Sequence, residues 1–486
     1  MLARARLSGN RRGVTASLRA FAHHQPRVNP VRLALLAGSV ALGLSPALPD
    51  ALASMNTTIT NPGEPSPGVV TVGTSDAPSA ASPVDKALGW KVLFDGTSTE
   101  HWRGFKKESF PEKGWTIEDG CLKINAGGGA GDIVSVEEYS DFELSFEFKV
   151  DKGANSGVMY RVSETYDYPW QTGPEFQILD DAGHKDGAMA SRSVGALYDM
   201  IAPPADKPIK PAGEFNQARI RIKNGVLQHF LNGVKIAECR IDDQSWTDRI
   251  AASKFKDMKG FGLEPKGRIA LQDHGDNVWY RNIMIRDLSP GANAAEIALF
   301  NGKDLTGWNA FVPDLIKEGK NPADVWSVQD GVLVCAGKPV GYIKTDKSFS
   351  NFVLRLDWRF NPVTKQEGNS GVLVRIQEPD KIWPKSVEAQ LHSKNAGDFW
   401  NIDQFSMNVA AERTKGRRTL KTHFAEHEVG QWNDYEIVVN KGDIVLRVNG
   451  EEVNRATDAA ELAGQIALQS EGAEIHFRNV RVLPLN

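Results

Sequence analysis

Cysteine is scarce in this chain. Only Cys121, Cys239 and Cys335 occur in 486 residues, and no two share a short motif or a metal-ligand spacing. A zinc-stabilised module and a disulfide framework are therefore excluded. An oxidising compartment would still allow Cys121 and Cys239 to pair, the alternative being buried free thiols. Long apolar runs are equally few. The single one, Leu33 to Leu48, is too short to span a bilayer and ends in Pro46 and Pro49. Several catalytic signatures are missing too. The glycine-rich GGGAGD at Gly127–Asp132 has no Lys-Ser/Thr after it, no GxGxxG follows a strand pattern, and no GxSxG or ExDxxE occurs. Phosphate cradles, nicotinamide sites, esterase elbows and glucanases of the paired-carboxylate kind lack their signatures.

What stands at the N-terminus is a targeting pattern. Seven arginines and no lysine precede the apolar run, and Ala51-Leu52-Ala53 follows as a small-x-small cleavage site. This order predicts a signal peptide over 1–53 and export to the periplasm or the extracellular space. The twin Arg11-Arg12 is followed by GVTA, which does not suit a twin-arginine signal, and no cysteine marks a lipid anchor. Removing 1–53 leaves 50 basic against 60 acidic residues, a net charge near −10. That sign argues against nucleic acid as a partner, and membrane insertion is not expected once the signal is gone. Residues 54–87, rich in Asn, Thr, Pro, Gly, Ser and Ala, read as a flexible linker.

From Leu88 onward the sequence repeats itself once. LFDG at Leu93 returns as LFNG at Leu299, Trp102 as Trp308, Trp115 as Trp326, and SDFEL at Ser140 as SNFVL at Ser350. NSGVMYR at Asn155 returns as NSGVLVR at Asn369, EFQI at Glu175 as EAQL at Glu388, GRIALQ at Gly267 as GQIALQ at Gly464, and YRNIMI at Tyr280 as FRNVRV at Phe477. The offset grows from 206 to 217 residues and then falls to 197, so copy one carries about twenty extra residues between Cys239 and Gly267. Within them Trp246, Ile250 and Phe255 have helical spacing. Elsewhere the period is two, as in DFELSFEFKV, and Asn232-Gly233 and Asn449-Gly450 mark two-residue hairpin turns. An all-β protein of two tandem sandwich or jelly-roll domains, 88–288 and 295–486, is expected.

Two matched strands depart from apolar patterning. Strict alternation puts Glu175 and Gln177 on one face of PEFQILD, and Glu388, Gln390 and His392 on one face of VEAQLHS. It puts Asn155, Gly157, Met159 and Arg161 together on the NSG strand, with Asn369 and Arg375 as counterparts. Two readings are open: a solvated outer face with paired Arg and Glu, or a polar groove that binds sugars through carboxylates, amides and aromatics. Recurrence of the same polar residues in both copies favours the groove. Trp170 (with Tyr166 and Tyr168), Tyr198 and Trp400 are candidate stacking residues, and Asp180, Gln272 and His274 candidate polar ones. A lone histidine after a strand is more often structural than catalytic. Copy two reads LQSEG where copy one reads LQDHG, and so lacks this histidine.

The ordered set LFDG, W-x-DG, NSG-x-x-x-R, E-x-Q, NG, G-x-I-x-LQ and FRN resembles the 3-keto-disaccharide hydrolase family over nearly all of both copies. The resemblance implies a concanavalin A-like jelly-roll sandwich and action on glycosides whose sugar is already oxidised at C3. Copy one departs from it at Glu214-Phe215-Asn216, where the family has Trp before Asn. The chemistry it implies needs a base for the C2 proton and a cationic or hydrogen-bonding partner for the enolate oxygen. Glu175 is the candidate base, Arg161 or His274 the oxyanion partner, and Gln177 the orienting group, with Glu388 and Arg375 as counterparts in copy two. No cofactor is required, although a divalent metal could serve in place of the cation. The alternative is a tandem lectin-like protein that binds carbohydrate without cutting it, or one copy of each kind.

Overall fold

The computed structural model describes residues 85–86 and 88–485. The expected signal peptide, its cleavage site and nearly all of the linker lie outside the described residues.

Each copy folds as a two-sheet sandwich in which every ladder is antiparallel. In the N-terminal module the larger sheet has eight strands. Its order is Val234–Arg240, Val226–Leu231, Asn216–Lys223, Phe142–Val150, Val278–Asp287, Cys121–Ile124 and Trp115–Glu118, with Trp90–Phe94 also on Val278–Asp287. The smaller sheet runs Trp102–Gly104, Ile133–Ser135, Arg268–Leu271, Asn155–Val162 and Glu175–Leu179. The C-terminal module repeats this plan. Its smaller sheet continues past Ser386–Gln390 with Phe399–Ile402, Arg418–Thr419 and Thr414–Lys415.

Period-two patterning explains the layers. Phe142, Leu144, Phe146 and Phe148 point into the core, where they meet Val158, Tyr160, Phe176, Ile178 and Tyr280. Burying each such side chain stabilises the sandwich by roughly 1.5–3 kcal/mol. The hairpin signals hold as well. Asn232 and Gly233 have φ of 46° and 86°, and Asn449 and Gly450 50° and 79°, the left-handed pair that a type I′ turn requires. The extra segment of copy one forms the helix Gln244–Ala252, capped by Asp243, which accepts from the Ser245 N–H. Trp246 anchors it in the core, while Phe255 lies beyond its end and stacks on Phe261 at 3.8 Å. All three cysteines are buried free thiols, so the Cys121–Cys239 pairing left open above is not made. Among the described residues no helix is long and apolar enough to cross a membrane.

The two modules meet through the outer faces of their larger sheets. Those faces carry the charged half of the alternating pattern, and the contact is correspondingly ionic. Arg221 grips Asp434 with two hydrogen bonds of 2.7 and 2.8 Å. Arg286 joins Glu143 (2.6 Å) to Glu436 (2.8 Å), and Glu436 also accepts from Arg355 and Arg447. Burial alone would raise the Glu143 carboxyl, but Arg286, Arg219 and Arg221 outweigh it and hold it at about 2. Both smaller sheets lie on the far sides of their sandwiches from this contact.

Candidate active site

The outer face of the smaller sheet in the N-terminal module is neither apolar nor fully wet. Register across its strands builds two rows. Val134, Ala270, Met159 and Glu175 lie in line, because Val134 pairs with Ala270, Ala270 with Met159 and Met159 with Glu175. The next row runs from Asp132 through Gln272 and Gly157 to Gln177; Gln272 donates its N–H to the Gly157 carbonyl at 2.9 Å. A strip of Val134, Met159, Val162 and Ala270 forms an apolar floor against which Trp170 packs.

The NSG motif is a device for seating Glu175. A Cβ on Gly157 would lie 1.9 Å from Glu175 Oε1, so only glycine leaves room for the carboxyl. Ser156 Oγ donates to the Gln272 carbonyl at 2.6 Å and thereby fixes the neighbouring strand. Asn155 Oδ1 accepts from Gln177 Nε2 at 3.3 Å, which turns the Gln177 amide and leaves its Oε1 buried without a partner. Glu175 itself is only 6% exposed. Burial pushes its carboxyl up to about 8; Lys254 pulls it down and Asp132 pushes it further up. Burial also lifts Asp132 to about 6, although it accepts the Asp273 N–H at 2.8 Å.

Loops complete the site. Tyr198 donates its backbone N–H to the Glu175 carbonyl, and its hydroxyl reaches Asp186 at 3.3 Å. Lys254, just past the extra helix, sets its Nζ 4.1 Å above the Tyr198 ring. His274 lies exposed on the loop after Gln272, its ring edge-on to that of His184 at 6.5 Å. Sequence reasoning missed Lys254 and Asp132, whereas His184 and Asp186 belong to the GHKDG loop whose acidic and His side chains the sequence does offer. For Lys254 a signal existed, since it lies in the segment of about twenty residues that copy one carries and copy two lacks. Among the described residues no group of three or more His, Cys, Asp or Glu side chains could hold a metal ion.

Both arginines leave this face, which corrects their expected role. Arg161 and Arg375 have φ of 51° and 55° and sit in bulges where the register to the next strand shifts. The extra residue breaks the period of two, so Val162 and Ile376 take the outer positions. Arg161 donates to the Ser140 carbonyl and lies 3.6 Å from Asp141. Arg375, fully buried, donates to the carbonyls of Ala460 and Lys441 at 2.6 Å each. Both are clamps on the backbone. Asp180 is likewise occupied, accepting from the Gly153 and Ala182 N–H groups to shape its loop. Gln390 does not match Gln177 in use, because its Oε1 accepts from the N–H groups of Leu391 and His392. His392 is exposed and bonded to the Ser393 carbonyl.

The C-terminal module keeps the seat but changes the company. A Cβ on Gly371 would lie 2.5 Å from Glu388 Oε1 and 2.4 Å from Gln469 Oε1, and Ser370 Oγ donates to the Gln469 carbonyl. Burial and then the charge of Glu471 push Glu388 up to about 8, against Arg417. Glu471 occupies the position of His274, beside Asn369, and burial lifts it to about 7. Tyr342 stands where copy one has Asp132, and Trp400 pairs with Glu388 from the added strand.

A polar row over an apolar floor, seated on a jelly-roll sheet and flanked by aromatic rings, defines a carbohydrate-active β-sandwich protein. The family is identified by direct comparison. A model of the 3-keto-alpha-glucoside-1,2-lyase-like domain matches residues 89–286 and again 295–483, and the chain belongs to that family twice over. The 3-keto-disaccharide hydrolase of Bacteroides thetaiotaomicron is 37% identical over 236 residues, which is 42% of this chain and 80% of that protein. A crystal structure from Parabacteroides distasonis with a provisional glycosyl hydrolase name is 31% identical, covering 43% of this chain and 99% of its own, with a TM-score of 0.41. A second from the same organism is 32% identical over 41% of this chain and 99% of its own, with a TM-score of 0.32.

Proposed function

We propose that the N-terminal module cleaves glycosides whose sugar ring carries a ketone at C3, with Glu175 as the base. The observation that carries this reading is one carboxyl, buried on a glycine seat, with a lysine acting on it and a sugar-sized polar row beside it. The C3 ketone acidifies the C2 proton, and Glu175 takes that proton. The electron pair moves to the C3 oxygen as an enolate, whose negative charge Lys254 and neighbouring N–H donors stabilise. The enolate then re-forms the ketone, makes the C1–C2 double bond and expels the glycosidic oxygen, which takes up a proton. Addition of water across C1–C2 completes a net hydrolysis. Gln177 and Gln272 hold the ring hydroxyls, and Trp170 supports an apolar sugar face.

A base that rests at about 8 is mostly protonated at neutral pH, so turnover should climb as the pH rises toward that value. In the same reading the chain is exported and 1–53 are removed; N-terminal sequencing of the secreted or periplasmic protein tests this. The test of chemistry compares a 3-keto-glucoside with its unoxidised parent. The wild type should cleave only the ketone, and Glu175→Gln should slow it by roughly 10²–10⁴. Equal cleavage of both sugars, or full activity in the variant, would overturn the reading.

A further inference from the structure

The C-terminal module has kept the glycine seat and the buried glutamate, yet the groups around them have changed in kind. The insert that supplies Lys254 is absent from this copy, and the rim histidine has become Glu471. On the face itself Asn369 Oδ1 and Trp400 Nε1 are buried and unpartnered, and Glu388 Oε1 and the Gln469 amide, which act on one another, have no other partner. Glu388 and Gln469 are 4% and 1% exposed, and both converge on the space above Gly371. Buried polar atoms of a folded protein are almost always satisfied, so a cluster of orphans on an open sheet face marks a place that a ligand fills.

The character of the orphans selects the ligand. Trp400 Nε1–H and the Gln469 amide are donors, Asn369 Oδ1 and the Gln469 carbonyl are acceptors, and the protonated Glu388 carboxyl both donates and accepts. Each hydroxyl of a vicinal diol both donates and accepts, so this set suits a neutral polyol ring. It suits an anion poorly, because two carboxyls face the space and the charge of Glu471 already pushes Glu388 up. The Arg375 guanidinium is spent on backbone carbonyls, and the cation that acts on Glu388 is Arg417, set 5.9 Å from the Trp400 ring rather than carried on an insert as Lys254 is.

We propose that the C-terminal module is a second carbohydrate site, built on Glu388, Glu471, Gln469, Asn369 and Trp400, that binds an unoxidised neutral pyranose rather than the 3-keto sugar. The chain then holds one site for chemistry and one for retaining ordinary saccharide. This inference does not rest on turnover in the first module and is tested without it.

The experiment titrates methyl α-D-glucopyranoside, methyl β-D-galactopyranoside and D-glucuronate into the full chain carrying Glu175→Gln, read by ligand-observed NMR and tryptophan fluorescence. A neutral glycoside should bind with Kd on the order of millimolar, and glucuronate more weakly. Adding Glu471→Ala should weaken binding by about tenfold, the worth of one good hydrogen bond. Trp400→Phe, which keeps an aromatic ring but removes the indole N–H together with its five-membered ring, gives the same readout if Glu471→Ala lowers the melting temperature. No binding of either neutral glycoside, tighter binding of glucuronate, or binding that neither substitution weakens would overturn the proposal.

Discussion

Replacing Glu175 by Gln should stabilise the protein at alkaline pH and leave it nearly unchanged at about pH 5. The Glu175 carboxyl ordinarily titrates at 4.5, and in the fold burial holds it at about 8. Between those values the folded chain binds a proton that the unfolded chain has lost, so stability falls as the pH rises. At about 1.4 kcal/mol per pH decade the full difference corresponds to about 4–5 kcal/mol. Relaxation and water entry around the ionised carboxylate reduce this, leaving a penalty of about 2–3 kcal/mol. Glutamine has the shape of the protonated acid and never ionises. For a module of this size 1 kcal/mol is worth roughly 2–4 °C. The melting advantage of Glu175→Gln should therefore grow from near zero at about pH 5 to about 5–10 °C at about pH 9. Differential scanning calorimetry of both proteins across that range is the measurement. Glu388 imposes a similar slope on both, so the difference isolates Glu175. A flat difference, or one that shrinks with pH, would refute the buried, protonated seat.

Gly157→Ala forces a Cβ to within 1.9 Å of Glu175 Oε1 and should displace the carboxyl. It is expected to cost about 1–3 kcal/mol by overpacking, measured by urea denaturation, and to remove most 3-keto-glucoside turnover even where the protein stays folded. Asp434→Ala strands the buried Arg221 guanidinium between the modules and should cost about 3–5 kcal/mol, with two thermal transitions in place of one. Glu143 is held at about 2, below its ordinary 4.5, so its contribution to the module contact is complete above pH 4.5 and is lost as pH falls from there toward 2. Small-angle scattering across that window should show the two modules separating as the medium is acidified.

Much of this was legible in the order of residues. The duplication, the alternation in Phe142–Val150 and the Asn-Gly turns are local signals, and local physics decides them. Glu175, Gln177, Gly157 and Gln272 were also recoverable, because a polar residue kept at matched strand positions in both copies needs a reason beyond packing. The arginines were not. Arg161 alternates correctly by count, and only the left-handed backbone at that residue turns it away from the face. Lys254 and Glu471 escaped for another reason. They reach the site from loops whose course depends on tertiary packing, such as the Trp246 anchor beneath the extra helix.

The contact between modules bears on why two chemistries can share one chain. Duplicated domains that pack site to site constrain one another, since a change at one face is felt at the other. Here the packed faces are the charged backs of the larger sheets, tied by Arg221, Asp434, Arg286 and Glu436. Each smaller sheet is separated from that contact by its own apolar core. The seat of Gly, Ser and Glu depends only on pairing inside the smaller sheet, so it persists in both copies. The groups that set the charge beside it, Lys254 in one copy and Glu471 in the other, come from loops that carry no ladder hydrogen bonds. Substitution there changes what the glutamate meets without disturbing how it is held. A single exchange follows as a test of that separation: His274→Glu in the N-terminal module should leave the melting temperature within about 2 °C at about pH 6. It should depress 3-keto-glucoside turnover, because a second carboxyl at the rim opposes the enolate. A large loss of stability from that exchange would show that rim and seat are not independent.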